Sequence, residues 1–224
     1  MFLRFLKKKV FIVSGILLLN SLAFAAHPLT TDDAGVVAKE KFEIEASHDF
    51  GDAEDEEAKK ITQRNLGLSF KHGLTEKMDF GISLPYQVKP STSNEAGNAE
   101  ISFKFALIQD VLAVSLANEL GASDYFVNLI LSHKIADFGL HFNAGYLKSD
   151  ELYSGGNGIY NVAVEHPVNK NLNAVGEINL DDYGFETWLV GAQYEIQNYC
   201  TLSAGFARSK NGYETYSFGL NKGF

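Results

Sequence analysis

Charged and polar side chains that alternate with apolar ones are the groups in this sequence best placed to act on a solute. Taking every second residue of the alternating segments assigns one set of ionisable groups to a common polar face. Acidic groups outnumber basic ones in this set, and such an imbalance favours cations wherever a water path follows the face. The set contains Glu43, Glu45, Arg64, Lys71, Glu100, Lys104, Glu119, His141, Glu165, Glu177 and Glu195.

Histidines next to serines raise the question of hydrolysis. A serine and a histidine on one strand share a face only when they are two residues apart, whereas Ser47-His48 and Ser132-His133 are adjacent. A hydrolase acting on lipid would therefore need a serine from a neighbouring strand. We predict that the chain is not an enzyme.

A metal site is a second chemical possibility, because His27, Asp32 and Asp33 are close in sequence and carry metal-capable groups. No second His or Cys lies at ligand spacing, so turn capping is the favoured role of these aspartates. The acidic run 52–57 lacks the central glycine of an ordered calcium loop and indicates a solvated surface loop near lipopolysaccharide. We expect neither a metal nor another cofactor.

The elements that position these groups are β-strands, because bulky apolar and small polar residues alternate with a period of two. Such strands form either a secreted sandwich or a membrane barrel. A polar face rich in Gly, Ser, Asn and Gln and tyrosines near the strand ends favour the barrel. The predicted strands are residues 42–50, 63–72, 78–87, 99–108, 111–120, 125–134, 137–147, 158–166, 172–180, 185–196, 199–208 and 213–224.

The predicted connections alternate between two lengths. Tight turns are expected at 74–77, 109–110, 136–137, 167–171 and 197–198, and the longest links are 51–62, 88–98 and 148–157. Short turns face the periplasm in bacterial barrels and long loops face outward, so both ends of the barrel domain should be periplasmic. The predicted fold is all-β: one transmembrane, antiparallel, up-and-down barrel of about twelve strands.

The first 25 residues have the features of a secretory signal peptide. Four basic residues precede the apolar run 10–19, and Ala23-Phe24-Ala25 is a cleavage pattern, although an uncleaved anchor is the alternative. Cleavage after Ala25 leaves 15 basic and 28 acidic residues, a formal charge of −13. That charge excludes nucleic acid as a partner, and the single Cys200 excludes an intramolecular disulfide.

Residues 26–35 and 41–45 resemble the His-Pro-Leu-x-Thr-Asp-Asp opening of a family described as outer-membrane transporters from meta-pathway phenol-degradation operons. The resemblance covers about twenty residues and implies outer-membrane residence and transport. We treat residues 26–41 as a periplasmic lead-in and residues 42–224 as the barrel.

The last segment resembles the carboxy-terminal recognition signal of outer-membrane barrels. Tyr216, Phe218, Leu220 and Phe224 share one parity, while Lys222 stands where an apolar residue is usual. This resemblance implies the barrel-assembly machinery as a partner, with outer-membrane lipid and lipopolysaccharide as surroundings.

Taken together, the patterns predict a channel or transporter for small solutes in the bacterial outer membrane. It would prefer cations or carry small hydrophobic or aromatic compounds. The alternatives are a plugged structural barrel, an outer-membrane lipid hydrolase and an adhesin, the last disfavoured by the short loops.

Overall fold

Twelve β-strands form one closed antiparallel barrel in the computed structural model, which describes residues 27–54, 60–90, 96–149, 156–197 and 199–224. The predicted barrel and its strand number are confirmed. The predicted signal peptide lies outside the described residues. Within them, no helix is long and apolar enough to cross a membrane. The strands are β1 Phe42–Glu54, β2 Lys60–Thr75, β3 Met78–Lys89, β4 Glu100–Ile108, β5 Leu112–Glu119, β6 Tyr125–Ile135, β7 Phe138–Lys148, β8 Asn157–Pro167, β9 Leu172–Asp181, β10 Gly184–Gln197, β11 Cys200–Ser209 and β12 Glu214–Gly223.

Closure occurs between the first and last strands. Each strand pairs with its neighbours in sequence, and β1 pairs with β12 from Glu43↔Gly223 to Gly51↔Thr215. A closed barrel leaves no strand edge whose N–H and C=O groups would be exposed to hydrocarbon. The wall therefore satisfies the main requirement of a membrane-spanning structure.

The two faces of the wall have the polarity of a membrane barrel. Leu68 and Phe218 on the outer face are 49% and 50% exposed, whereas Asn128 and Asn143 on the inner face are 2% and 5% exposed. A water-soluble barrel would bury the leucines and expose the asparagines. The outer face is therefore suited to lipid, and the polar side chains fill the lumen.

The connections follow the predicted alternation, with one difference in length. Tight turns at the end where β1 begins and β12 ends place Asp110 and Ala136 at positive φ, 57° and 53°. At the opposite end the β1–β2 hairpin continues to the pair Glu54↔Lys60, beyond the predicted end at residue 50. The acidic residues of this stretch predict a loop, but the β-ladder continues through them, and Lys60 Nζ lies 2.6 Å from Asp52 Oδ2.

The described residues before β1, 27–41, are called the N-terminal segment here; residues 27–37 lie inside the barrel, and residues 38–41 are exposed. The sequence predicts a periplasmic lead-in over residues 26–41. The structure instead buries Leu29, Thr31, Asp32 and Ala34 to 5% exposure or less. The difference arises because polar side chains of the inner wall bind this segment, a contact that strand periodicity does not reveal.

Candidate functional site: the barrel lumen

The N-terminal segment runs around the inner wall, and side chains of many strands accept its backbone N–H groups. His27 N donates to Glu45 Oε2 of β1 at 3.3 Å. Further along, Asp32 N donates to Asn143 Oδ1 of β7 at 2.8 Å and Ala34 N to Ser132 Oγ of β6 at 2.9 Å. Val37 N then donates to Asp79 Oδ2 of β3 at 2.9 Å. The segment is thus held by side chains around much of the circumference.

Glu177 of β9 is the principal anchor of the segment. Its Oε2 accepts hydrogen bonds from Thr30 N at 2.7 Å and Thr31 N at 2.5 Å, and its Oε1 accepts from Thr30 Oγ1 at 2.7 Å. Asn179 Nδ2 donates to the same Oε1 at 2.9 Å. Glu177 is 4% exposed, so its carboxylate has lost its contact with water. The four donors compensate for that loss.

A buried ion pair fixes the middle of the segment. Lys104 Nζ of β4 lies 2.8 Å from Asp32 Oδ1 and also donates to the carbonyl oxygens of Asp33 and Gly35 at 3.1 and 2.9 Å. Burial raises the pKa of Asp32 to about 6, although Lys104 acts in the opposite direction. Burial also acts to raise the pKa of Asp33, but Lys104 and the Gly35 N–H outweigh it and hold that pKa below 3.8.

Apolar residues of the segment pack in two small apolar clusters of the otherwise polar lumen. Leu29 packs against Ala163, Val175 and Leu189, all at most 6% exposed. Leu189 is an apolar residue on a face of β10 that otherwise carries Thr187, Gly191 and Gln193, and its contact with Leu29 explains this exception. In the second cluster Ala34 packs against Ala113 and Ile130.

Two serine–histidine contacts occur inside the lumen, where sequence spacing had not indicated them. His27 Nδ1 lies 2.6 Å from Ser203 Oγ of β11, and His141 Nδ1 lies 2.8 Å from Ser132 Oγ. The first contact holds His27 of the segment directly. In the second, Ser132 also accepts the N–H of Ala34, so this serine binds the segment as well. His48, considered as a hydrolase residue, instead packs beside Phe50, with their ring centroids 5.6 Å apart.

The residues of the metal hypothesis are not brought together. The ring of His27 contacts Ser203, while Asp32 pairs with Lys104. Across the described ranges, no group of three or more His, Cys, Asp or Glu side chains has a metal-binding arrangement.

A polar cavity of about 290 Å³ remains between the segment and the wall. Ionisable groups of both signs line it. Lys71 Nζ and Glu43 Oε1 lie 3.8 Å apart, and Asn221 Nδ2 donates to Glu43 Oε1 at 2.8 Å. The charged or titratable lining residues are His27, Asp33, Glu43, Lys71, Asp79 and Lys104.

The structure places the ionisable residues assigned to the polar face on the inward parity, with one exception. Arg64 is exposed, lies opposite Phe50 in the β1–β2 register and shares the parity of the outward Leu66 and Leu68. Its assignment to the lumen was wrong, because residue 64 has the opposite parity to Lys71. Glu195 has the inward parity but is exposed near the periplasmic end.

The remaining members occupy different parts of the lumen. Glu100 and Glu119 are directly paired, and Asn98 Nδ2 donates to Glu119 Oε1 at 2.7 Å. Glu165 Oε2 lies 3.9 Å from His141 Nε2. Sequence reasoning missed the buried Asp79, Asp181 and Glu186.

Comparison with known structures places the fold among outer-membrane channels. The KdgM porin in complex with disordered oligogalacturonate matches with a TM-score of 0.63 at 11% identity, over 81% of this chain and 99% of that chain. An outer-membrane channel from Pseudomonas putida F1 matches with a TM-score of 0.59 at 10% identity, over 86% and 98%. The NanC porin matches with a TM-score of 0.57 at 9% identity, over 80% and 98%. No protein-family model matches the sequence, and no curated protein matches it.

The shared fold and the apolar outer face agree on the surroundings of the chain. The protein is a bacterial outer-membrane β-barrel.

Proposed function

We propose that this barrel is a channel for small solutes whose lumen is narrowed by the N-terminal segment. The observation that carries the proposal is the polar cavity of about 290 Å³ beside the segment, enclosed by a closed wall. A structural barrel has no need of a charged cavity inside, whereas a conducting barrel needs hydrated polar groups along its path. Fold likeness to channels is consistent with the proposal.

The cavity lining favours small cations as solutes. Asp33, Glu43 and Asp79 are acidic, and of the two lysines Lys104 is already paired with Asp32. The net field is therefore negative, and a negative ring raises the local concentration of cations. This polar lining supports cations over small hydrophobic or aromatic compounds, the other class of solute that the sequence left open.

Planar-bilayer recording of the refolded protein in a salt gradient tests the proposal. We expect a cation-directed reversal potential that shifts toward zero in Glu43→Gln, because this substitution removes one charge from the cavity. Glu214→Gln is the matched control, since Glu214 is exposed beside Arg208 at 3.9 Å, away from the cavity. Correctly folded protein that stays silent, even after deletion of residues 27–40, would instead establish a plugged structural barrel.

We also propose that the barrel-assembly machinery recognises the outward apolar side chains of β12 together with Phe224, which follows it. Tyr216, Phe218, Leu220 and Phe224 are all at least 41% exposed on the lipid-facing side. The yield of folded, heat-modifiable barrel in cells measures this role, and an unchanged yield after Phe224→Ser would remove it.

A further inference from the structure

A β-bulge at the outer end of the barrel turns an extra acidic side chain inward. β9 and β10 are joined by a tight turn, with Asp181 opposite Gly184. The register then shifts between Phe185 and Thr187, so Glu186 has no opposite residue. As a result Phe185 faces outward at 41% exposure, while Glu186 is 5% exposed. Bulges commonly re-aim a side chain in this way near functional sites.

The bulge places two buried carboxyl groups next to each other on the inner wall. Asp181 of β9 is 7% exposed and Glu186 of β10 is 5% exposed, and both lie within three residues of the β9–β10 turn. Lys210 pairs with Glu186 Oε1. Among the described residues, Glu186 Oε2 is buried and has no hydrogen-bond partner. Two buried neighbouring carboxylates repel each other unless a proton or a cation compensates their charge, and one lysine neutralises only one of them.

Each carboxylate oxygen of Asp181 has one other contact and can still bind a cation through a remaining lone pair. Asp181 Oδ1 accepts the backbone N–H of Tyr183 at 2.7 Å, and Asn157 Nδ2 lies 3.5 Å from Oδ2. Rotation of the Asn157 amide by half a turn would present its oxygen at the same place, because amide nitrogen and oxygen are interchangeable in shape.

We propose that Asp181 and Glu186 bind a hard divalent cation such as calcium at the extracellular end of the lumen. Calcium prefers carboxylate and amide oxygens and completes its shell with water, which the extracellular mouth supplies. Two carboxylates opposed by Lys210 give a net charge of −1, so the affinity belongs to the weak, millimolar class of extracellular sites. The site goes beyond the proposed function, because binding here does not require that ions cross the barrel.

Terbium luminescence tests the site without any conduction measurement. Terbium is a calcium probe excited through nearby tyrosines, and Tyr183 is adjacent to the site. We expect saturable luminescence of the refolded protein that calcium displaces. Asp181→Asn and Glu186→Gln should each weaken calcium binding by about tenfold or more, because each removes one of only two charged ligands. Glu214→Gln, a carboxylate change on β12 at the same end, should leave it unchanged.

A variant that binds calcium more tightly cannot be explained by misfolding, so it is a second test of the site. Lys210→Met removes the competing ammonium and should tighten calcium binding by about tenfold. Unchanged affinity in Lys210→Met or in Glu186→Gln, or terbium binding that calcium does not displace, would overturn the proposal. In those cases the carboxyl pair shares a proton instead.

Discussion

Replacing Glu177 by glutamine should release the N-terminal segment from the wall. Oε2 of Glu177 accepts two backbone N–H groups of the segment, and Oε1 accepts Thr30 Oγ1 and Asn179 Nδ2. Glutamine has one oxygen and can keep only one of these two pairs. If the oxygen stays with Thr30 N and Thr31 N, the segment loses the bond from Thr30 Oγ1, and in the other orientation it loses both N–H bonds. Each bond to a charged acceptor contributes about 1.5–3 kcal/mol, so docking weakens by about 2 kcal/mol or more. That corresponds to roughly a thirtyfold rise in the released fraction.

Two measurements report this release. In planar bilayers the open probability of single channels should rise, and hydrogen exchange at Thr30 and Thr31 should accelerate. Glu165→Gln is the matched control, because Glu165 also faces inward but contacts His141 rather than the segment. If Glu177→Gln matches the unsubstituted protein in both open probability and exchange, the anchoring role assigned to Glu177 is wrong.

Two further predictions concern other contacts of the segment. The raised pKa of Asp32 means that docking takes up a proton: the acid-dependent stabilisation is complete below the free value of 3.8 and is lost as pH rises through about 6. Conductance should therefore fall by up to roughly tenfold from pH 7 to pH 5, and Asp32→Asn should abolish this part of the pH dependence; a rise on acidification would contradict the assignment. In Gly219→Ala the new Cβ would lie 2.4 Å from His27 Nδ1 and 2.6 Å from Ser203 Oγ, so the ring must leave the serine. Loss of about 1 kcal/mol should increase protease cleavage of the segment several-fold, and an unchanged cleavage rate would show that this contact does not hold it.

The strands could be predicted from the sequence because a lipid-facing wall imposes a period of two on every crossing. Leu66, Leu68 and Phe70 in β2 show this pattern without interruption. Strand ends were less certain, since charged residues such as Asp52 continue the ladder beyond the hydrocarbon. Parity also fails where the register shifts, which is why Glu186 was missed.

The position of the N-terminal segment could not be predicted from periodicity, because residues 27–37 bind through side chains of the wall. One signal was present in the sequence. Leu189 and Val175 place apolar groups on a face that is otherwise polar, and such residues need an apolar partner inside the lumen. Leu29 is that partner. The residue that it meets is set by tertiary structure and could not be identified from either segment alone.

Because the segment is attached through side chains of the wall, it can move without breaking the backbone hydrogen bonds that hold the barrel together. From residue 27 to residue 37, the N–H groups that donate to the wall do so to carboxylate, amide or hydroxyl oxygens and not to strand carbonyls. Movement of this stretch would leave the ladder between β1 and β12 unchanged. The interior could therefore be rearranged repeatedly at a free-energy cost set by side chains alone, while the barrel keeps its seal against the lipid.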